Sequence, residues 1–333
     1  MLPPYVIIDV SIWQDPAKVP YEELKAHGVV LVFIKASMGG GYDANCDKHV
    51  AEARAAGLLI GLYHWCDPTQ SWERQALYFV DKIKQHNPDY ICYDVEQWWN
   101  DWTKYKNHTV SFPADGCTVD QVTGNFRTIY LKVYKETGFP YERSFQYSAN
   151  WFVNLYGSKL ITALQEFPGR NWWADYTQLD LANWKITWSS WASLWENYFP
   201  GRTPIKPASL SWDIWQVQSR IIVPPVHNIS MGLDTSCCSP ALTEELRLLI
   251  SGEVPAPNPD PEPEPPLPDE AIKKVVVTAG ALNIRKGPNA ANPLAGNALE
   301  NGTEVYIYEL VGSWGRIEPD QCIWIHTGYT QDV

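Results

Sequence analysis

The apolar positions of the first 250 residues fall into short runs separated by amphipathic stretches. Val6–Ser11, Val29–Ser37, Leu58–Trp65 and Tyr90–Glu96 are rich in Val, Ile and Tyr, as buried strands are. Helical spacing fills the gaps at about 47–56 and 70–86, with another helical stretch at 119–137. Further strand-like pieces follow at 144–149, 171–176 and 212–218, and a last one ends at Gly232-Leu233-Asp234. Strand and helix alternate early, and the later part is mostly strand. This order predicts an α/β domain built as an irregular, TIM-like β/α barrel.

Residues 253–270, EVPAPNPDPEPEPPLPDE, break the pattern: eight of these 18 are Pro and six are acidic. Such a segment forms neither helix nor ladder and runs as an extended spacer, at most roughly 50 Å long. Beyond it, residues 271–333 alternate polar and apolar positions between Gly, Asn and Pro turns, which predicts a small all-β barrel. The expected organisation is a catalytic domain over 1–252, a linker over 253–270 and a small domain over 271–333.

Composition sharpens this picture in two places. The net charge is −12, but −6 lies in the spacer, −5 in residues 1–252 and −1 in residues 271–333. Neither folded part carries the basic excess of a nucleic-acid binder, so nucleic acid is not an expected partner. The chain also holds 17 Trp, 15 of them before the spacer, a surplus that points to stacking on sugar rings. No segment is apolar enough to span a membrane. The N-terminus lacks the charge and apolar pattern of a secretion leader, so synthesis in a cytoplasm without export is expected. The seven Cys form no CxxC pair and the seven His no HExxH, so reduced thiols, no metal and no cofactor are expected.

The candidate chemistry is acidic. Asp9 follows Val-Ile-Ile, Asp94 and Glu96 close the 90–96 run, and Asp234 follows Gly-Leu. Each reads as an acid at the C-terminal end of a strand, the rim on which β/α barrels build active sites. Asp94 and Glu96, two apart, project to one side of a strand about 6.6 Å apart. One protonated and one ionised carboxyl on the same side of a cleft suit glycosidic cleavage.

These residues sit in motifs: Asp9-Val-Ser-Ile-Trp-Gln14, Phe33-Ile-Lys-Ala-Ser37, Gly61-Leu-Tyr-His-Trp65, Tyr93-Asp-Val-Glu96, Trp173-Ala-Asp-Tyr176, Trp215-Gln216 and Gly232-Leu-Asp234. In that order and spacing, residues 4–250 resemble glycoside hydrolase family 25, lysozymes of the phage-endolysin and bacterial-autolysin type. The resemblance implies an N-acetylmuramidase that cleaves the β-1,4 bond between N-acetylmuramic acid and N-acetylglucosamine in peptidoglycan. It implies Glu96 as general acid and Asp94 as the carboxylate that orients the substrate N-acetyl group. The acetamide oxygen then attacks the anomeric carbon, with net retention. Asp9 and Asp234 match the remaining acids, and Tyr63, Tyr147, Trp173, Tyr176 and Gln216 match cleft-lining positions.

Asp175 sits at a variable position and is read as peripheral. Met38 stands where the family often has an acid. The cluster after the catalytic strand, with Trp98 and Trp102, is expected to contact glycan. Trp184, Trp188, Trp191 and Trp195 follow helical spacing and are read as packing. The small domain resembles a bacterial SH3-like module through Ala281-Leu-Asn-Ile-Arg-Lys-Gly-Pro288, Trp314-Gly-Arg-Ile317 and Trp324-Ile325. It implies a wall peptide or cross-bridge as ligand, with Trp314 and Tyr329 on the binding surface and Trp324 in the core. The resemblance further implies an endolysin made in the host cytoplasm and released through a separate holin-type pore, without membrane insertion of its own. Two other readings stand beside it: a chitinase-like hydrolase, against which the longer DxxDxDxE strand signature is missing, and a non-catalytic wall-binding or phage structural protein.

Overall fold

The computed structural model describes residues 5–176, 201–221, 233–251, 271–318 and 323–332. The spacer and the 184–195 Trp stripe lie outside the described residues. The chain divides into two compact units, Met1–Val254 and Pro255–Val333.

The first unit is mixed α/β around a closed eight-stranded barrel. Its strands are β1 (Val6–Val10), β2 (Val29–Met38), β4 (Leu59–Trp65), β5 (Tyr90–Asp94), β6 (Ser144–Ala149), β7 (Arg170–Ala174), β8 (Ile214–Ile221) and β9 (Leu233–Cys238). The short β3 (Gly41–Tyr42) only extends β2 as a hairpin. Closure comes from β1, which pairs parallel with β2 and antiparallel with β9. Helices α1 (Tyr21–Ala26), α2 (Cys46–Ala55), α3 (Trp72–His86), α4 (Trp102–Lys106), α5 (Val119–Thr137), α6 (Asn150–Tyr156) and α7 (Ser158–Glu166) lie between the strands, and α8 (Pro240–Ser251) ends the unit.

Up to residue 217 in β8, and throughout the other strands of the barrel, side chains pack on both faces, and a period of two sorts them between two cores. Ile7, Leu31, Phe33, Tyr90, Cys92, Phe145, Trp172 and Ile214 form the inner core. Ile8, Val32, Ile34, Ile91, Tyr93, Trp173 and Trp215 belong to the outer one, shared with the helices. Gly61 is needed for this packing: a Cβ there would lie 2.4 Å from the Phe33 ring. The longest helix, α5, is bounded by local chemistry. Thr118 and Gln121 form a reciprocal capping box at its start, and Gly138 ends it at φ +62°.

The last strand departs from expectation. Asp234 does not end it but opens it, because β9 runs antiparallel to β1 and β8. An antiparallel strand starts at the rim where its parallel neighbours finish. Asp234 therefore pairs in register with Asp9 and still reaches the same rim.

The second unit is all β: β10 (Lys273–Val277) between β13 (Glu304–Ile307) and β17 (Thr330–Asp332), β14 (Glu309–Val311), β15 (Trp314–Arg316) and β16 (Trp324–His326) in a second sheet, and the pair β11 (Ala281–Leu282) and β12 (Leu299–Glu300). Val275, Val277, Leu282, Ile307 and Ile325 form its core.

Candidate active site

A cleft opens at the C-terminal rim of the barrel, lined by Asp9, Tyr63, Trp65, Cys92, Asp94, Glu96, Tyr147, Trp172, Gln216 and Asp234. Parity explains the membership. Inward positions of β5 read Tyr90, Cys92, Asp94 and continue to Glu96; those of β1 read Ile7 and Asp9. Each strand begins apolar at the closed end of the barrel and finishes with an acid at the open one.

Gln216 organises one wall. Its Nε2 donates to Asp9 Oδ2 at 2.9 Å, and its Oε1 accepts from the hydroxyls of Tyr147, at 2.7 Å, and Tyr176. Two donors on the oxygen leave the amide a single orientation, which aims its N–H at Asp9. On the opposite wall Trp65 Nε1 donates to Gln97 Oε1 at 3.2 Å, and Gln97 Nε2 donates to Asp67 Oδ1 at 2.9 Å. Lys35 Nζ lies over the Trp65 ring, 4.4 Å from its centroid, and 5.4 Å from that of Tyr63. The lysine is buried, and its field reaches Asp9, Asp94 and Glu96.

The acids are held in a poor solvent for charge. Burial, more than repulsion between them, raises the Glu96 carboxyl to about 7; Lys35 opposes the shift and Asp234 adds to it. Asp94 is pushed well above the usual carboxylate range by burial and then by Glu96. Asp9 is raised by burial and then by Asp234, against the Gln216 hydrogen bond. Because Glu96 is among the causes of the Asp94 shift, an ionised Glu96 makes ionisation of Asp94 harder. Asp94 Oδ1 is buried and accepts no hydrogen bond within the protein.

The sequence-predicted residues divide. The cleft brings together Asp9, Asp94, Glu96, Asp234, Tyr63, Tyr147 and Gln216. Tyr176 joins from the edge, 38% exposed, through Gln216. Trp173 does not line the cleft. It points outward into the helix-facing core, with Nε1 donating to the Ser211 carbonyl, and its neighbour Trp172 faces the cleft instead. The alternation of β7 contained this signal, since Trp172, Ala174 and Tyr176 share one parity and Trp173 has the other.

Trp98 is half-buried against the outer core and meets Trp99 and Phe112 edge-on. Trp102 is 48% exposed beside Tyr105, which stacks on Trp99 at 3.7 Å; Trp99 in turn meets Trp65 of the cleft. Asp175 accepts from the Ile205 amide at 2.8 Å and does not line the cleft, nor does Met38. Sequence reasoning passed over Lys35, Trp65 and Trp172, although Lys35 shares parity with inward-facing Leu31 and Phe33.

No described group is built for a metal in this cleft. The nearest approach to one is Cys46, Asp47 and His86 on α2 and α3, and there Lys82 Nζ already donates to Asp47 Oδ1 at 2.5 Å. In the second unit Trp314 is half-buried edge-on to His326, Tyr329 is 54% exposed beside the same ring, and Trp324 is buried.

The family model of glycosyl hydrolases family 25 matches residues 8–224, and the chain belongs to that family. It is a glycoside hydrolase. Three solved structures are similar in fold. A family 25 glycosyl hydrolase of Streptococcus pneumoniae, described as a virulence factor in host cell invasion, is 17% identical at a TM-score of 0.51, over 73% of this chain and 91% of its own. One from Bacillus anthracis is 17% identical at 0.49, over 73% and 92%. A family 25 lysozyme from Aspergillus fumigatus is 20% identical at 0.48, over 73% and 98%. Among curated proteins no relative matches the chain.

Proposed function

We propose that this enzyme is an N-acetylmuramidase. It cleaves the β-1,4 bond between N-acetylmuramic acid and N-acetylglucosamine of bacterial peptidoglycan, with retention through the substrate's own acetamide. The observation that carries the reading is Asp94, a residue of the cleft wall with one buried carboxylate oxygen, Oδ1, that has no partner in the protein, two residues from a carboxyl raised to about 7. A buried acceptor left unpaired is costly, and an acetamide N–H is the donor that would satisfy it. That hydrogen bond favours ionised Asp94 and leaves the pair's proton on Glu96.

Glu96 then donates this proton to the leaving glycosidic oxygen as the C1–O bond breaks, and the acetamide carbonyl oxygen bonds to C1 from the opposite face. Ionised Asp94 stabilises the resulting oxazolinium cation. A water deprotonated by Glu96 opens it, restoring the acetamide and the original anomer. Asp9, oriented by Gln216, and Asp234 shape the sugar site. Trp102 extends it toward the leaving strand.

In this reading the second unit, over 271–333, is an SH3-like wall-binding module that uses Trp314 and Tyr329 for peptide or cross-bridge. Tethering raises the effective concentration of the barrel at the wall. The biological role is that of an endolysin made in the host cytoplasm and released through a separate pore.

Purified cell walls digested with the protein and analysed by mass spectrometry test the activity. New reducing ends on muramic acid are expected; new ends on glucosamine, or freed peptides alone, overturn the reading. Proton NMR during the first turnovers reads the anomer, and β is expected. Glu96→Gln should abolish lysis and leave wall binding unchanged.

A further inference from the structure

The turn that leaves β1 is held by polar groups, of which Asp43, Gln14 and His49 are buried and Asn45 is half-buried. The Ile12 amide donates to Asp43 Oδ2 at 2.8 Å, and the Ser11 amide donates to Gln14 Oε1 at 2.9 Å. Asn45 Nδ2 donates to the carbonyls of Ile12 and Gln14 at 3.3 and 3.2 Å. His49 Nε2 donates to those of Ser11 and Gln14 at 3.2 and 3.1 Å. His49 is fully buried, and its Nδ1 is fixed by the Tyr21 hydroxyl at 2.6 Å. Facing two carbonyls, Nε2 must carry the ring proton, so Nδ1 accepts.

This rigid support presents apolar surface to water. Ile12 is 51% and Trp13 64% exposed, and Trp13 is the most exposed large apolar side chain among the described residues. Isolated surface hydrophobics need no explanation. Two adjacent ones on a turn whose backbone is held by six hydrogen bonds do, because the fold gains little burial from them while fixing the backbone that carries them. Rigid presentation lowers the entropy cost of capturing a ligand. The position names that ligand. Asp9 lines the cleft, and Trp13 follows it by four residues, a reach of at most about 14 Å, or a few sugar rings. The exposed Trp102 follows β5, three strands further round the barrel.

We propose that Trp13, backed by Ile12, is a stacking platform for a sugar ring of the glycan strand outside the cleavage site, on the β1 flank of the cleft. The inference rests on the muramidase reading. A pyranose offers a flat face of C–H groups and a polar perimeter. The Trp13 indole supplies the complementary flat apolar face. A platform remote from the broken bond contributes binding that is equal in ground and transition states, so it lowers KM for substrates long enough to reach it and leaves kcat alone.

The test is steady-state hydrolysis of peptide-free glycan strands, sorted by length, by the full chain and by Trp13→Ala and Trp13→Phe. For Trp13→Ala, KM on long strands should rise about fivefold, the worth of one aromatic contact, with kcat unchanged. Fragments of two disaccharide repeats should show no change, and Trp13→Phe should retain most of the affinity. An unchanged KM on long strands overturns the inference alone. So does a rise seen only on strands that still carry stem peptides, which would assign the platform to peptide. A full chain that leaves every strand intact overturns the muramidase reading and this inference with it. Asn45→Ala, which removes two of the six supports, should raise KM for long strands in the same direction by a smaller factor; an equal loss on short fragments would mark a structural effect and count against the platform.

Discussion

The two ends of the barrel use the same residue types in opposite ways. At the closed end, Arg170 Nη2 bonds Glu245 Oε2 at 2.5 Å, Tyr90 donates to Glu245 Oε1 at 3.1 Å, and Asp213 accepts from the Asn171 amide at 3.0 Å. There α8 also drives Leu242 and Leu246 into the inner core. At the open end, Asp9, Asp94 and Glu96 share the field of Lys35, which sits over an aromatic ring, and Asp94 Oδ1 accepts no hydrogen bond within the protein. Charge at the closed end is spent on holding the barrel shut. At the open end the acids line a cleft, where Gln216 holds Asp9 and burial raises Asp9, Asp94 and Glu96 above the ordinary carboxylate range.

The comparison breaks first at Glu96. If the open end is catalytic, Glu96→Gln should reduce glycan hydrolysis by about 10²- to 10⁴-fold, read as release of reducing ends. A loss below tenfold would return the proton donor to another group.

Next comes stability against pH. The folded carboxyl of Glu96 titrates near 7, above its ordinary 4.5. Its contribution to stability is therefore fully present below about pH 4.5 and is lost as pH rises through about 7. Glu96→Gln should be the more stable protein at pH 8 by roughly 3 kcal/mol, in urea melts, and should lose that advantage at pH 4. Activity, which needs the protonated acid, should fall above pH 7 in the unmodified enzyme.

The closed end should behave in reverse. Arg170→Ala should destabilise by about 1 kcal/mol, since the pair is partly exposed, with kcat unchanged on short substrate. The smallest expected effect is at Trp102→Ala: a few-fold rise in KM on long glycan strands and none on short ones.

Much of this was legible in the chain. Strand runs, the α5 boundaries and the order of the acids follow from local pattern, because hydrophobic alternation and capping chemistry act within a few residues. Trp173 was misplaced although its parity, opposite to that of Trp172 and Tyr176, was readable. Lys35 was overlooked because a lysine inside a barrel contradicts its ordinary exposed state, and only the neighbouring strands, with the Trp65 and Tyr63 rings and the acids of the rim, make the position tenable. Asp234 was assigned the right rim for the wrong reason, since strand direction is a property of pairing and leaves no mark on six residues.

By itself, then, the sequence determined the alternation of elements, the four acids and the period that sorts each strand into inner and outer faces. Tertiary structure alone decided the rest: that β9 runs backwards to set Asp234 beside Asp9, that Gln216 aims one amide at Asp9, and that Asp94 keeps an oxygen unpaired. The reason is physical. Alternation and capping are short-range, whereas the desolvation that raises Glu96 exists only once eight strands from across 230 residues have closed around it.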